Sequence, residues 1–211
     1  MPISTNGRMR PVIVGVFSAG LGVLGGTLSL VSPSAAADGV TDAVQEAMDY
    51  YKQGRLSAAA ESLDFAAGLV RQKKADEMKA LLPKPMQGWN VDDSLSNLIA
   101  ADFFGGGISV QRAFKLGQKT ILVRYLTDSA VLQSAVLMFT DPSLASANGG
   151  KFESLEGQKV LVKYEGQDQS GEIAVLINRR ILVSVRGTRV PLTDLYAYAR
   201  MVNFAGLSRL P

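Results

Sequence analysis

Apolar positions change period along this chain, and each change marks an element. Between residues 40 and 82 no proline occurs, and apolar residues recur at helical spacing. Val40, Val44, Ala47 and Tyr51 predict a first helix that ends near Gln53-Gly54. Ala59, Leu63, Ala66 and Val70 predict the inner stripe of a second helix, with Ser57 as its N-cap and Glu61 in its first turn. Alanines on facing stripes let two helices approach closely, as an αα-hairpin requires. The charged run Arg71-Gln72-Lys73-Lys74-Ala75-Asp76-Glu77-Met78-Lys79 extends the second helix or forms a short third one, and Leu81-Leu82-Pro83-Lys84-Pro85 closes the region as a linker.

Beyond Gly88-Trp89 the period shortens to two. Ile108, Val110, Arg112 and Phe114 alternate with polar or small neighbours, and Ile121, Val123 and Tyr125 do the same after the Gly117-Gln118 turn. Val160/Val162/Tyr164, Ile173/Val175/Ile177 and Ile181/Val183/Val185 are further alternating sets, and residues 151–155 add a sixth strand candidate. The opposite faces (Leu161/Lys163, Ala174/Leu176, Leu182/Ser184/Arg186) are mixed, which predicts one full core and one partly covered face. Short loops between these strands favour antiparallel pairing. Helices are predicted over 94–103 with Ser94 as cap, over 129–139, and over 191–204. The expected fold class is therefore α+β: an N-terminal helical hairpin plus an antiparallel sheet of about five to six strands with packed helices.

Residues 1–37 follow a different pattern. Arg8 and Arg10 precede an apolar stretch over 11–31, and Ser32-Pro33-Ser34-Ala35-Ala36-Ala37 places small residues before a cleavage point after Ala37. This is the layout of a secretory signal peptide. An uncleaved inner-membrane anchor is the alternative, because the stretch reaches the roughly 20 residues that span a bilayer. Gly15, Gly20, Gly22, Gly25 and Gly26 weaken such a helix. The expected organisation is 1–37 signal peptide, 38–82 hairpin and 83–211 antiparallel α/β domain, exported to a periplasm.

Composition narrows the chemistry. The 211 residues contain no His and no Cys, so Ser-His-Asp and Cys-His catalysis, His/Cys zinc sites and disulfides are excluded. An exported chain without cysteine fits a bacterial periplasm better than a eukaryotic secretory route. The net charge is +3, but Arg8 and Arg10 supply two of those charges. From Asp38 onward 20 basic residues face 19 acidic ones, too even a balance for a general nucleic-acid binder. No cofactor and no metal are expected.

Three resemblances add to this reading. Tyr50-Tyr51-Lys52-Gln53-Gly54-Arg55-Leu56, with Ala59, Leu63 and Ala66, resembles the centre of a tetratricopeptide repeat. Such repeats need about three copies in a row to bury a continuous core, and no second copy follows, so the likeness implies a lone hairpin without a peptide groove. The order of elements after Leu82 resembles the α/β sandwich of the photosystem subunit P and Mog1 type. It is also similar to exported proteobacterial proteins with a Leu-Pro-x-x-x-x-Gly-Trp run, here Leu82-Pro83 to Gly88-Trp89. The plant members of the first type are non-catalytic assembly subunits, so this likeness implies a fold and leans away from an enzyme.

Few residues stand out as sites. Asp92-Asp93 points to opposite sides of an extended segment and suits a helix start better than a chelate. Gly105-Gly106-Gly107 precedes a strand, whereas a phosphate loop follows one and carries Lys-Ser/Thr, so close packing or a bend is expected. Trp89, Phe103 and Phe104 are core contacts or the lining of a ligand pocket. Arg179, Arg180, Arg186 and Arg189 set four guanidiniums within eleven residues, a solubilising turn or a contact for lipid headgroups or an acidic protein face. The expected function is a non-catalytic interaction or assembly module of the cell envelope, with a protein partner or self-association through the hairpin. A small-ligand or lipid-binding protein is the alternative.

Overall fold

The computed structural model describes residues 38–96 and 107–210. Helix α1 (Gly39–Lys52) starts at Asp38, whose carboxylate accepts from the Val40 N–H and pairs with the Lys73 ammonium. Gly54, at φ +73°, makes the reversal, a left-handed conformation that costs glycine least. Helix α2 (Leu56–Ala80) follows at once. Its N-cap is Arg55, with no side-chain cap, rather than the expected Ser57. The Arg55 guanidinium instead lies 4.3 Å from the centre of the Tyr50 ring.

The hairpin seam is built from smaller residues than the apolar pattern predicts. Ala43 and Ala47 of α1 are buried against α2, where Ala59, Ser62 and Ala66 are buried. Val44, Tyr51, Leu63 and Val70, expected on the inner stripes, are exposed. Close approach of the helices at alanine leaves no room for a branched chain in the seam, so the larger residues are displaced to the flanks.

Helix α2 does not end with the hairpin. It continues through the charged run as a single 25-residue helix, and its far end lies on the sheet. Met78 is fully buried there, and Lys74 pairs with Asp128 at 2.8 Å. The linker that follows is tied down by side chains of the sheet. The Tyr125 hydroxyl donates to the Leu81 carbonyl at 3.0 Å, and Arg112 donates to the carbonyls of Leu82 and Pro83 at 3.3 and 3.0 Å. Carbonyls left over at a helix end are thereby satisfied. The chain from Asp38 onward forms one compact unit.

Among the described residues seven antiparallel strands form one sheet: β1 (Asn90–Asp92), β2 (Ile108–Leu116), β3 (Lys119–Thr127), β4 (Lys151–Leu155), β5 (Gln158–Glu165), β6 (Ser170–Ile177) and β7 (Ile181–Thr188), in the order β1-β2-β3-β7-β6-β5-β4. The strand beyond the expected six is β1, which pairs Val91 with Phe114 at the sheet edge. After β3 the chain crosses one face of the sheet through α4 (Val131–Thr140) and α5 (Pro142–Ala147) to the far edge. A four-strand meander then returns until β7 pairs with β3.

The two faces differ as the alternation predicts. Phe114, Tyr125, Val123, Val183, Val175 and Val160 point to the full core, under α2, α6 (Leu192–Arg200) and α7 (Phe204–Ser208). Tyr198 of α6 stacks 4.5 Å from Phe114. The expected single terminal helix is two, because the helix breaks at Val202 and Asn203 starts the next by accepting from the Gly206 N–H. The short α3 (Asp93–Ser96) is capped by Asp92, which accepts from the Ser94 N–H at 3.1 Å, so Ser94 lies inside the turn rather than at its cap. The remainder of that expected helix lies outside the described residues. Among the described residues no helix is long and apolar enough to cross a membrane.

Candidate functional site

Strand register assembles the site on the second face of the sheet. Lys163 of β5 is opposite Glu172 of β6, and Glu172 is opposite Arg186 of β7. One step along, Leu161, Ala174, Ser184 and Arg124 form the next row. A charged row therefore borders a mixed one, apolar at Leu161 and Ala174 and polar at Ser184 and Arg124. Helix α4 lies over the apolar side and encloses a pocket of about 230 Å³ lined by Val131, Ala135, Met138, Phe139, Leu161 and Leu182, with Lys163 and Glu172 at its rim. A shallower cleft of about 440 Å³ continues from that rim towards Tyr164, Gly171 and Thr188, and it shares Lys163 and Glu172 with the first.

Charges along the rim are unevenly satisfied. Glu172 accepts from Arg186 at 3.1 Å and from the Ser184 hydroxyl. The Arg186 side chain is 60% exposed, so its pair with Glu172 contributes at most about 1 kcal/mol and can rearrange. Arg124 donates to Gln111 at 3.0 Å. Burial lowers the Arg124 pKa, and the neighbouring Arg186 charge lowers it further. Lys163 is half-buried and makes no hydrogen bond or ion pair among the described residues.

The residues singled out in the sequence do not converge. Trp89 is buried in the main core, edge-on to Tyr198 at 5.4 Å, and lines neither cleft. Phe103 and Phe104 lie outside the described residues, as do Gly105 and Gly106. Gly107 is a close-packing position: a Cβ there would stand 2.5 Å from the Ser129 Cβ and 2.8 Å from the Thr127 carbonyl oxygen.

The four arginines are spread along one strand. Arg179 and Arg180 are exposed at the β6–β7 turn, where Asn178 and Arg179 adopt positive φ as a tight hairpin requires. Arg189 lies past the other end of β7, donating to Gln118 at 2.9 Å. At about 3.4 Å per residue the two ends are roughly 25 Å apart. Only Arg186 reaches the cleft. Lys163 and Arg186 were legible as polar members of a mixed face, whereas Glu172 was not singled out, and the meeting of the three depends on register.

A second surface lies on the hairpin. Met48 and Leu56 are exposed together with Val44, Tyr51, Leu63 and Val70. At about 100° per residue, Val44, Met48 and Tyr51 share one flank of α1, and Leu56, Leu63 and Val70 share one flank of α2. In an antiparallel pair these flanks lie on the same side. The hydrogen bond from Ser62 to Glu46 (3.4 Å) marks the opposite side. No family model, curated protein or solved structure matches this chain.

Proposed function

We propose that this protein is a non-catalytic interaction and assembly module of the bacterial cell envelope, working in the periplasm through its helical hairpin. The observation that carries this reading is the hairpin flank. Six large apolar side chains, each between 38% and 69% exposed, lie on one side of two helices. Monomeric proteins rarely expose contiguous apolar patches larger than a few hundred Å², and larger ones mark interaction sites. Two 14-residue helical segments side by side present a face on the order of 20 Å by 20 Å.

Its first occupant is the hairpin of a second copy. Leu56, Leu63 and Val70 recur every seven residues, the spacing at which helices pack side by side in bundles. Two such faces related by a twofold axis complete a four-helix bundle, with each stripe meeting its own copy. Sedimentation of the purified protein tests this: a concentration-dependent dimer is expected, converted to monomer by Leu63→Lys without loss of helical circular dichroism. A wild-type protein that stays monomeric at all concentrations, and whose periplasmic cross-links are the same for Leu63→Lys, overturns it. Release by osmotic shock, and its failure for a chain lacking residues 1–37, tests the location.

A further inference from the structure

We infer that the pocket beneath α4 binds a single-chain amphipathic anion, with its alkyl chain between α4 and the sheet and its carboxylate at Lys163. This goes beyond the hairpin reading and does not depend on it. The pocket is long in apolar surface and short in polar groups. Val131, Ala135 and Met138 form its roof, and Leu161, Ala174 and Leu182 its floor. At about 230 Å³ it falls below the roughly 300–1,000 Å³ usual for drug-sized ligands, which suits a chain and not a fused ring system. Met138 in the roof lets the pocket adapt to chain length, because an unbranched thioether repacks easily.

Charge complementarity sets the other end of the ligand. Lys163 is at the junction of the two clefts, half-buried and unpaired among the described residues. An ammonium removed from water without a counter-charge is costly. Its cross-strand neighbour Glu172 makes no ion pair with it and accepts instead from Ser184 and Arg186. A carboxylate arriving at the rim meets Lys163 directly. A neutral chain would fill the same pocket and leave Lys163 unpaired. The shallow cleft beyond the rim keeps the headgroup solvated and gives a path of approach.

Calorimetry with dodecanoate and dodecanol, on the purified protein, tests the assignment. Dodecanoate should bind saturably, one per chain, and dodecanol about tenfold more weakly, the value of one charge-assisted hydrogen bond. Lys163→Met should weaken dodecanoate by about tenfold and leave dodecanol unchanged. Ala135→Trp, which fills the pocket from its roof, should abolish both. Leu63→Lys on the hairpin should change neither. Absence of saturable dodecanoate binding overturns the inference. Binding that survives both Lys163→Met and Ala135→Trp also overturns it, because the ligand would then lie elsewhere. Should Ala135→Trp fail to fold, the acid-to-alcohol comparison in Lys163→Met decides alone.

Discussion

The hairpin and the sheet solve the same packing problem in opposite ways. In the sheet, β-branched and aromatic residues on one face are buried under three helices, and their size fills the space between layers. In the hairpin, alanine and serine make the contact and the large residues are turned out. A Val or Leu is therefore a core residue in one region and a surface residue in the other. What distinguishes them is the separation of the partners: sheet and helix leave a gap that a branched chain fills, while two helices meeting at alanine leave none. Burying a Val, Leu, Ile or Phe contributes about 1.5–3 kcal/mol, so the sheet side dominates the stability of the unit. The hairpin keeps its apolar surface available.

That contrast is most directly broken by truncation on each side. Phe114→Ala, which empties a fully buried site against Tyr198, should cost about 3–5 kcal/mol in urea unfolding. Leu63→Ala, of comparable chemistry on the exposed flank, should stay within about 0.5 kcal/mol when measured at dilutions where the chain is monomeric. Equal losses from the two would mean that the hairpin flank is covered in the folded protein. A smaller effect is expected from the reverse change. Ala59→Leu inserts a branched chain into the helix seam and should destabilise by about 1–3 kcal/mol, seen as earlier loss of helical signal. A neutral result would show that the seam is loose enough to have held Leu63.

The smallest effect is confined to alkaline pH. Burial raises the phenol pKa of Tyr125 and of Tyr198, and burial together with the hydrogen bond to Glu153 raises Tyr196 to about 12. The folded state thus favours the protonated phenols. The stability they contribute is complete below the ordinary value near 10 and is lost as the pH rises through the folded values. Near-ultraviolet circular dichroism of the sheet should persist to about pH 10 and then fall together with the appearance of tyrosinate absorbance. Conversion of all six tyrosines to tyrosinate without any loss of the sheet signal would show that these phenols are reached by solvent in the folded state.

Legibility in the sequence followed the length of each pattern. The strands β2 to β7 were readable because their alternation runs over five or more residues and their turns carry Gly or paired charged residues. Strand β1 was not, since three residues cannot show a period and its pairing depends on the edge offered by β2. Asp92 was readable as a helix-start residue, and it does cap α3. The helix boundaries near 53–56 were readable from Gly54, and the expected seam alanines Ala47, Ala59 and Ala66 are buried, while Val44, Tyr51, Leu63 and Val70, assigned to the same stripes, are exposed.

The candidate site was the least legible part. Proximity in sequence suggested an arginine cluster, and an extended strand pulled it apart, so that Arg179 and Arg189 lie at opposite ends of β7. Lys163, Glu172 and Arg186 are separated in sequence by a hairpin turn each, and antiparallel register makes them neighbours in one row. What the sequence alone determined is the hairpin, the strands β2 to β7, the face of the sheet that is core, and the absence of His and Cys chemistry, because period and composition are local properties of the chain. Only the tertiary structure decided which residues of the hairpin are exposed, where the charged row lies and that α4 roofs a pocket. Those depend on distances between elements, which no single stretch of sequence contains.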